Sequence, residues 1–248
     1  MSALWQTVGA ALDRASERGR TLTVWLRDDD AIAETAALAR LATVCERHGM
    51  PVLLAVIPAL AEPSLARFVE RHALITPTQH GYAHTNHADK GERARELGGT
   101  QPPVRIFDEL ARGRERLAAM FARTAGILVP PWNRIDADLV PGLPALGFTA
   151  LSTFGAAGPP VPGLDQLNCQ VDIIDWRNGR VGHTHAKLVG KLVDSINTQA
   201  AATAPLGLLT HHLVHDETAW SFFEDCLAFL AGHPAVRFAS AEELLPAR

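Results

Sequence analysis

Cysteine is scarce in this 248-residue chain: Cys45, Cys169 and Cys226 are all it has. An odd number cannot complete a disulfide framework, and no two of the three have the close spacing of a metal knuckle or redox motif. Buried or idle thiols in a reducing compartment are the expectation. Long apolar runs are missing too: nowhere do the roughly eighteen consecutive apolar residues of a membrane span occur. Neither charge sign dominates, and a net charge of −4 gives no electrostatic reason to expect nucleic acid or an anionic membrane as partner. No glycine-rich phosphate loop follows the first apolar run, which weighs against a nucleotide-binding sheet. There is no internal repeat and no low-complexity tail.

What is present describes an ordinary globular protein, 47% hydrophobic and 20% charged. The first twenty residues carry Asp13, Arg14, Glu17, Arg18 and Arg20 among short apolar groups, which predicts an amphipathic helix over 2–18 rather than a secretory signal. A cytoplasmic location and one catalytic domain over 1–248 are the expectations. Apolar runs at Leu22–Leu26, Val52–Ile57, Leu74–Thr78, Gly126–Val129, Phe148–Ser152, Cys169–Ile174 and Leu206–Thr210 alternate with helical periods at 32–48, 62–72, 103–123, 136–146, 185–201 and 216–232. Continuous apolar strands separated by helices imply a parallel α/β sheet covered on both faces, closed into a barrel or left open.

Ionisable residues gather where those runs end. Asp28, Asp29 and Asp30 follow the first, His80 and His84 the third, Pro130-Pro131-Trp132-Asn133 the fourth, Asp172 and Asp175-Trp176 the sixth, and His211-His212 the seventh. In α/β barrels the C-terminal ends of the strands form one rim, so groups distant in sequence converge there. Three consecutive carboxylates repel one another unless a cation offsets the repulsion, although Asp30 can also simply cap the helix near Ile32. Arg27 lies on the same strand face as Asp29, where the two can pair. Two histidines four apart on a helical turn point the same way, and with a carboxylate they make an Asp-His-His set with open positions, as catalytic metals require. His87, one turn further, is an alternative ligand. The blander readings are polar surface or polar support behind the site for His212 and His215, capping or solvent exposure at a helix start for His183 and His185, and core aromatics for Trp132 and Trp176. Tyr82, Phe222 and Phe223 are candidate groove residues.

These residues resemble the motifs of the polysaccharide deacetylases, carbohydrate esterase family 4, in family order. Leu26-Arg27-Asp28-Asp29-Asp30 is similar to the first motif, His80-Gly-Tyr-Ala-His84 to the second (Gly81 standing where serine or threonine is usual), and Pro130-Pro131-Trp132-Asn133 to the third. Asp172-Ile-Ile-Asp175-Trp176 is similar to the fourth, and Leu209-Thr210-His211-His212 to the fifth. The resemblance covers residues 22 to 215 and implies a distorted seven-stranded parallel (β/α) barrel. It implies that Asp30, His80 and His84 hold one divalent metal, zinc first, with cobalt, nickel or manganese as alternatives. Asp29 falls on the family's general base and His211 on its general acid, aimed by Asp172; His212 takes that place if the register slips by one. Pro131, Trp132, Asn133 and Trp176 fall on the walls of the substrate site.

The implied activity is metal-dependent removal of an acyl group from an amide nitrogen of an amino sugar or related N-acyl compound. One departure is plain: Val129 occupies the position of the third motif's arginine, a role Arg27 can assume and Arg134 less readily. Two other readings remain. An amidohydrolase barrel needs His-x-His on its first strand, which is absent here, and a non-catalytic metal-binding barrel is kept open by Val129.

Overall fold

The computed structural model describes residues 3–246. In chain order it holds α1 (Ala3–Glu17), β1 (Leu22–Ala31), α2 (Ala36–His48), β2 (Val52–Val56), α3 (Pro63–Arg71), β3 (Ile75–His80), α4 (Pro103–Met120) and β4 (Ile127–Val129). Four short strands follow: β5 (Ala150–Leu151), β6 (Asp165–Gln166), β7 (Val171–Asp172) and β8 (Ile174–Asp175). The chain ends with β9 (Val181–Gly182), α5 (His185–Ala202), β10 (Leu206–Thr210), α6 (Glu217–Ala231) and β11 (Val236–Phe238). Ser2, the first residue of the expected N-terminal helix, and the ends of the expected domain lie outside the described residues. No described helix is long and apolar enough to cross a membrane.

The chain divides into two compact units, and β1 passes from one to the other between Asp28 and Asp29. In the first unit, β10 lies between β1 and β7, parallel to both, and β11 pairs with the start of β1. Val24, Trp25 and Leu26 are all buried, as a parallel strand covered on both faces demands. The Thr35 hydroxyl opens α2 by accepting from the Leu38 N–H, and left-handed Gly49 closes it. Cys45, Cys169 and Cys226 are buried, and no disulfide joins them.

In the second unit β2, β3, β4, β5 and β6 lie side by side in that order, with parallel pairing from β3 to β6. Leu97, Ile106, Leu110, Leu128, Leu143 and Phe148 form part of its core. Apart from the antiparallel β8–β9 pair, the described residues place four strands in one unit and five in the other, exceeding the seven read from sequence by β6 and β11. These are too short, or too polar, to carry an apolar run. The expected helix at 136–146 is instead a 3-10 turn over Val140–Leu146, because Pro144 inside it offers no N–H for an α-helical bond.

Candidate metal centre

Asp30 is the penultimate residue of β1, and its φ of 73° lies in the left-handed region. β3 ends in His80, and β4 runs beside it with Val129 in register. Nδ1 of His80 is 3.0 Å from the Val129 carbonyl oxygen. A carbonyl only accepts, so Nδ1 is the donor in that contact, and Nε2 is the ring atom turned towards Asp30. That Nε2 lies 3.1 Å from Oδ1 of Asp30, and Nε2 of His84 lies 3.2 Å from the same oxygen. One ligand atom from each of the three residues falls within 4.8 Å of the others. The set fits a divalent cation: two imidazoles and a carboxylate suit zinc or its neighbours and leave positions open.

The two histidines do not share the face of a helical turn, as their spacing suggests. His80 closes a strand, and His84, with φ of 56°, follows a bend at Tyr82 and Ala83. His87 is outside the cluster; its backbone N–H binds the Arg95 carbonyl, and its own carbonyl accepts from Thr100.

After β4, Pro131–Asn133 makes a tight turn in which Trp132 and Asn133 take φ values of 54° and 58°. The Trp132 indole packs on the His84 ring with centroids 4.2 Å apart, while Pro131 is buried. Among the described residues, six that are not glycine have positive φ, and Asp30, His84, Trp132 and Asn133 are four of them. Such conformations cost about 1–3 kcal/mol each and cluster where a site must be held in a fixed geometry.

The first unit contributes a separate buried arrangement. Asp28 accepts from the Thr210 hydroxyl at 2.7 Å and from the His212 N–H at 3.0 Å, and its Oδ1 lies 2.5 Å from His212 Nδ1. Burial pushes its carboxyl up, but the His212 charge and the His212 and Thr210 hydrogen bonds outweigh this and hold it below the usual carboxylate range. Asp172 accepts from the Ile174 N–H and, at 2.7 Å, from the Trp176 indole N–H. The edge of that indole meets the ring of His211, with centroids 4.6 Å apart. Asp175 pairs with His183 at 2.9 Å. Arg27 and Asp29 are both buried.

No family model matches the chain, and no curated protein does. Solved structures do. A protein from Mycobacterium smegmatis described as a polysaccharide deacetylase superposes with a TM-score of 0.70 at 16% identity, covering 91% of this chain and 89% of its own. A family 4 acetyl xylan esterase from Clostridium thermocellum, solved with a cobalt ion, gives 0.57 at 14% identity, covering 90% and 89%. A family 4 pseudoenzyme from Bacillus anthracis gives 0.59 at 13%, covering 92% of this chain and 66% of that one. The chain has the polysaccharide-deacetylase fold. At these identities the likeness speaks for the fold alone.

On this deacetylase fold several sequence expectations change. Phe222 and Phe223 are core residues of α6, each about 1% exposed, and line no groove; they fall on the helix's apolar face. Of the two bland readings of His212, surface placement is excluded, since it is the buried partner of Asp28. His183 is buried rather than solvent-exposed, because Asp175 takes its ring; His185 does open α5. Trp176 is partly exposed and is not a core aromatic. Arg134 is engaged elsewhere, donating to the Ala94 carbonyl. Sequence reasoning missed two groups. One is Asp28, the first of three aspartates, whose partner could have been sought in the second histidine of Thr-His-His. The other is Glu96, which no local pattern marks.

Proposed function

We propose that this protein is a divergent polysaccharide deacetylase: a metal-dependent hydrolase that removes an acyl group, acetyl above all, from the amide nitrogen of an amino sugar or related N-acyl compound. The observation that carries the reading is the meeting of Asp30, His80 and His84 within 4.8 Å. Asp30 and the two Nε2 atoms would hold the ion, with the Val129 carbonyl keeping the His80 ring in the correct tautomer. A divalent cation there, zinc in this reading, supplies the charge that acidifies water and polarises a carbonyl.

The chain's own groups do the rest. Asp29 takes the proton of the attacking water. His211 gives a proton to the departing amine, which leaves poorly without one. Asp172 acts on His211 through Trp176, whose N–H it binds and whose ring edge meets the histidine. Pro131, Trp132 and Asn133 form a rigid wall beside His84, where a substrate ring can lie against Trp132, and Trp176 is a further substrate-binding aromatic in this reading. Arg27, on the strand face of Asp29, assumes the role of the motif arginine that Val129 replaces. In this reading residues 1–248 act as one catalytic domain, in a reducing cytoplasm that suits three buried cysteines joined by no disulfide, on a small or carbohydrate substrate and not on nucleic acid.

The test combines metal analysis with acetate release from simple N-acetyl sugars. The protein should carry about one equivalent of divalent metal, lose it in Asp30→Ala and His84→Ala, and release acetate only when loaded. Unchanged metal affinity in either variant rejects the ligand assignment. Val129 in the arginine's position favours a second reading, a metal-binding module without catalysis; full metal content with no acyl release from any N-acyl compound would select it.

A further inference from the structure

The turn carrying His84 is built without the side chain its motif usually supplies. Gly81 stands in the serine or threonine position, with φ of 53°. A Cβ placed there would lie 1.9 Å from Oε2 of Glu96 and 2.6 Å from the Pro131 ring. The space beside position 81 is thus taken by a carboxylate from fifteen residues further along the chain. Its Oε2 accepts from the Tyr82 N–H at 2.9 Å, and its Oε1 accepts from the Ala83 N–H at 2.7 Å and the Thr85 N–H at 3.3 Å. Successive amides that wrap one anion form a nest. Here the anion belongs to the protein.

Glu96 is only 1% exposed. Burying a carboxylate is unfavourable unless hydrogen bonds replace its water, and three backbone donors do so. Its own place is fixed from both sides. Leu97 is buried in the unit's core and bridges to Ile135, Arg95 pairs with Asp136 at 3.1 Å, and the Gly99 N–H donates to the same aspartate at 2.9 Å. Arg134 donates to the Ala94 carbonyl at 2.9 Å. The segment around Glu96 is therefore tied to the residues that leave the Trp132 turn, and it grips the residues that enter the His84 bend.

We propose that Glu96 is the positioning residue of the metal centre: standing in for the missing side chain at position 81, its carboxylate gathers the 82–85 amides and fixes where His84 presents Nε2. This rests on the reading of Asp30, His80 and His84 as metal ligands. Glu96 touches neither metal nor substrate in this scheme. Losing a group that orients a ligand typically lowers metal affinity about 10–100-fold.

The experiment titrates cobalt(II) into the metal-free full chain and follows both affinity and the visible spectrum, which reports ligand geometry. Glu96→Ala should bind at least about tenfold more weakly, with a changed spectrum and unchanged far-UV circular dichroism. Glu96→Gln should fall between it and the parent, because the amide keeps one accepting oxygen. Affinities within twofold of the parent, with the same spectrum, overturn the proposal. If Glu96→Ala does not fold, Glu96→Gln decides. Hydrogen exchange of the unaltered protein adds an arm free of mutation: the amides of Tyr82, Ala83 and Thr85 should be protected without metal, and rapid exchange at all three overturns the clasp. A parent chain that takes up no cobalt sinks the metal reading instead, and the amide protection tells the two failures apart.

Discussion

The imidazole of His80 is pinned by the backbone of Val129, whose carbonyl oxygen lies 3.0 Å from Nδ1. The residue that replaces the motif arginine therefore still serves the site, through an atom every residue possesses. Its consequence can be read by NMR. On zinc addition the nitrogen shift of His80 should change at Nε2, while Nδ1 remains protonated. Coordination through Nδ1 would contradict the assignment.

Metal removal should be visible in thermal stability. A ligand present at a hundred times its dissociation constant stabilises the folded state by about 2.7 kcal/mol. For a chain of this size that is about 5–10 °C in Tm. Chelation should lower the melting temperature by that amount in the parent and leave Asp30→Ala unmoved. A parent whose melting ignores both chelator and zinc would argue that the three ligand atoms hold nothing.

Gly81→Ala should be costly. The added carbon meets both Glu96 and Pro131, and left-handed backbone adds about 1–2 kcal/mol for a residue with a Cβ. Together with overpacking of about 1–3 kcal/mol, a loss of roughly 2–5 kcal/mol is expected in denaturant unfolding, along with metal uptake. A loss under about 1 kcal/mol would mean the turn relaxes freely.

His212→Ala leaves the Asp28 carboxylate buried with only the Thr210 hydroxyl and a backbone N–H. Breaking a buried pair in this way costs about 3–5 kcal/mol. The folded carboxyl is held low, so the parent's advantage is present at neutral pH. It fades as pH falls below about 4 and through the folded value. Equal denaturation midpoints for parent and variant at pH 7 would show that the pair carries no stability.

His215 titrates in the opposite sense. Burial pushes its imidazole down to about 4, against Trp220 and Phe223. The unfolded chain takes up a proton near pH 6.5 that the folded chain refuses, so stability falls as pH drops from about 6.5 to 4. This one group contributes roughly 3 kcal/mol of that fall. His215→Phe should flatten that part of the stability–pH curve. An unchanged slope between pH 6.5 and 4 would place the effect elsewhere.

The sequence by itself determined where strands and helices alternate, that three cysteines cannot complete a disulfide framework, and that carboxylates and imidazoles crowd the ends of apolar runs. Each of these is a local property, set by periodicity, composition or adjacency. Tertiary structure alone decided how those groups are used. Asp28 and His212 are 184 residues apart, and Glu96 finds its amides across a bend with no period of its own. The ring of His80 meets a carbonyl on the neighbouring strand, and the two histidines share a carboxylate through a strand end and a left-handed residue. Hydrogen bonds between distant segments leave no repeating trace in a chain, since any residue offers a carbonyl and nearly any an amide.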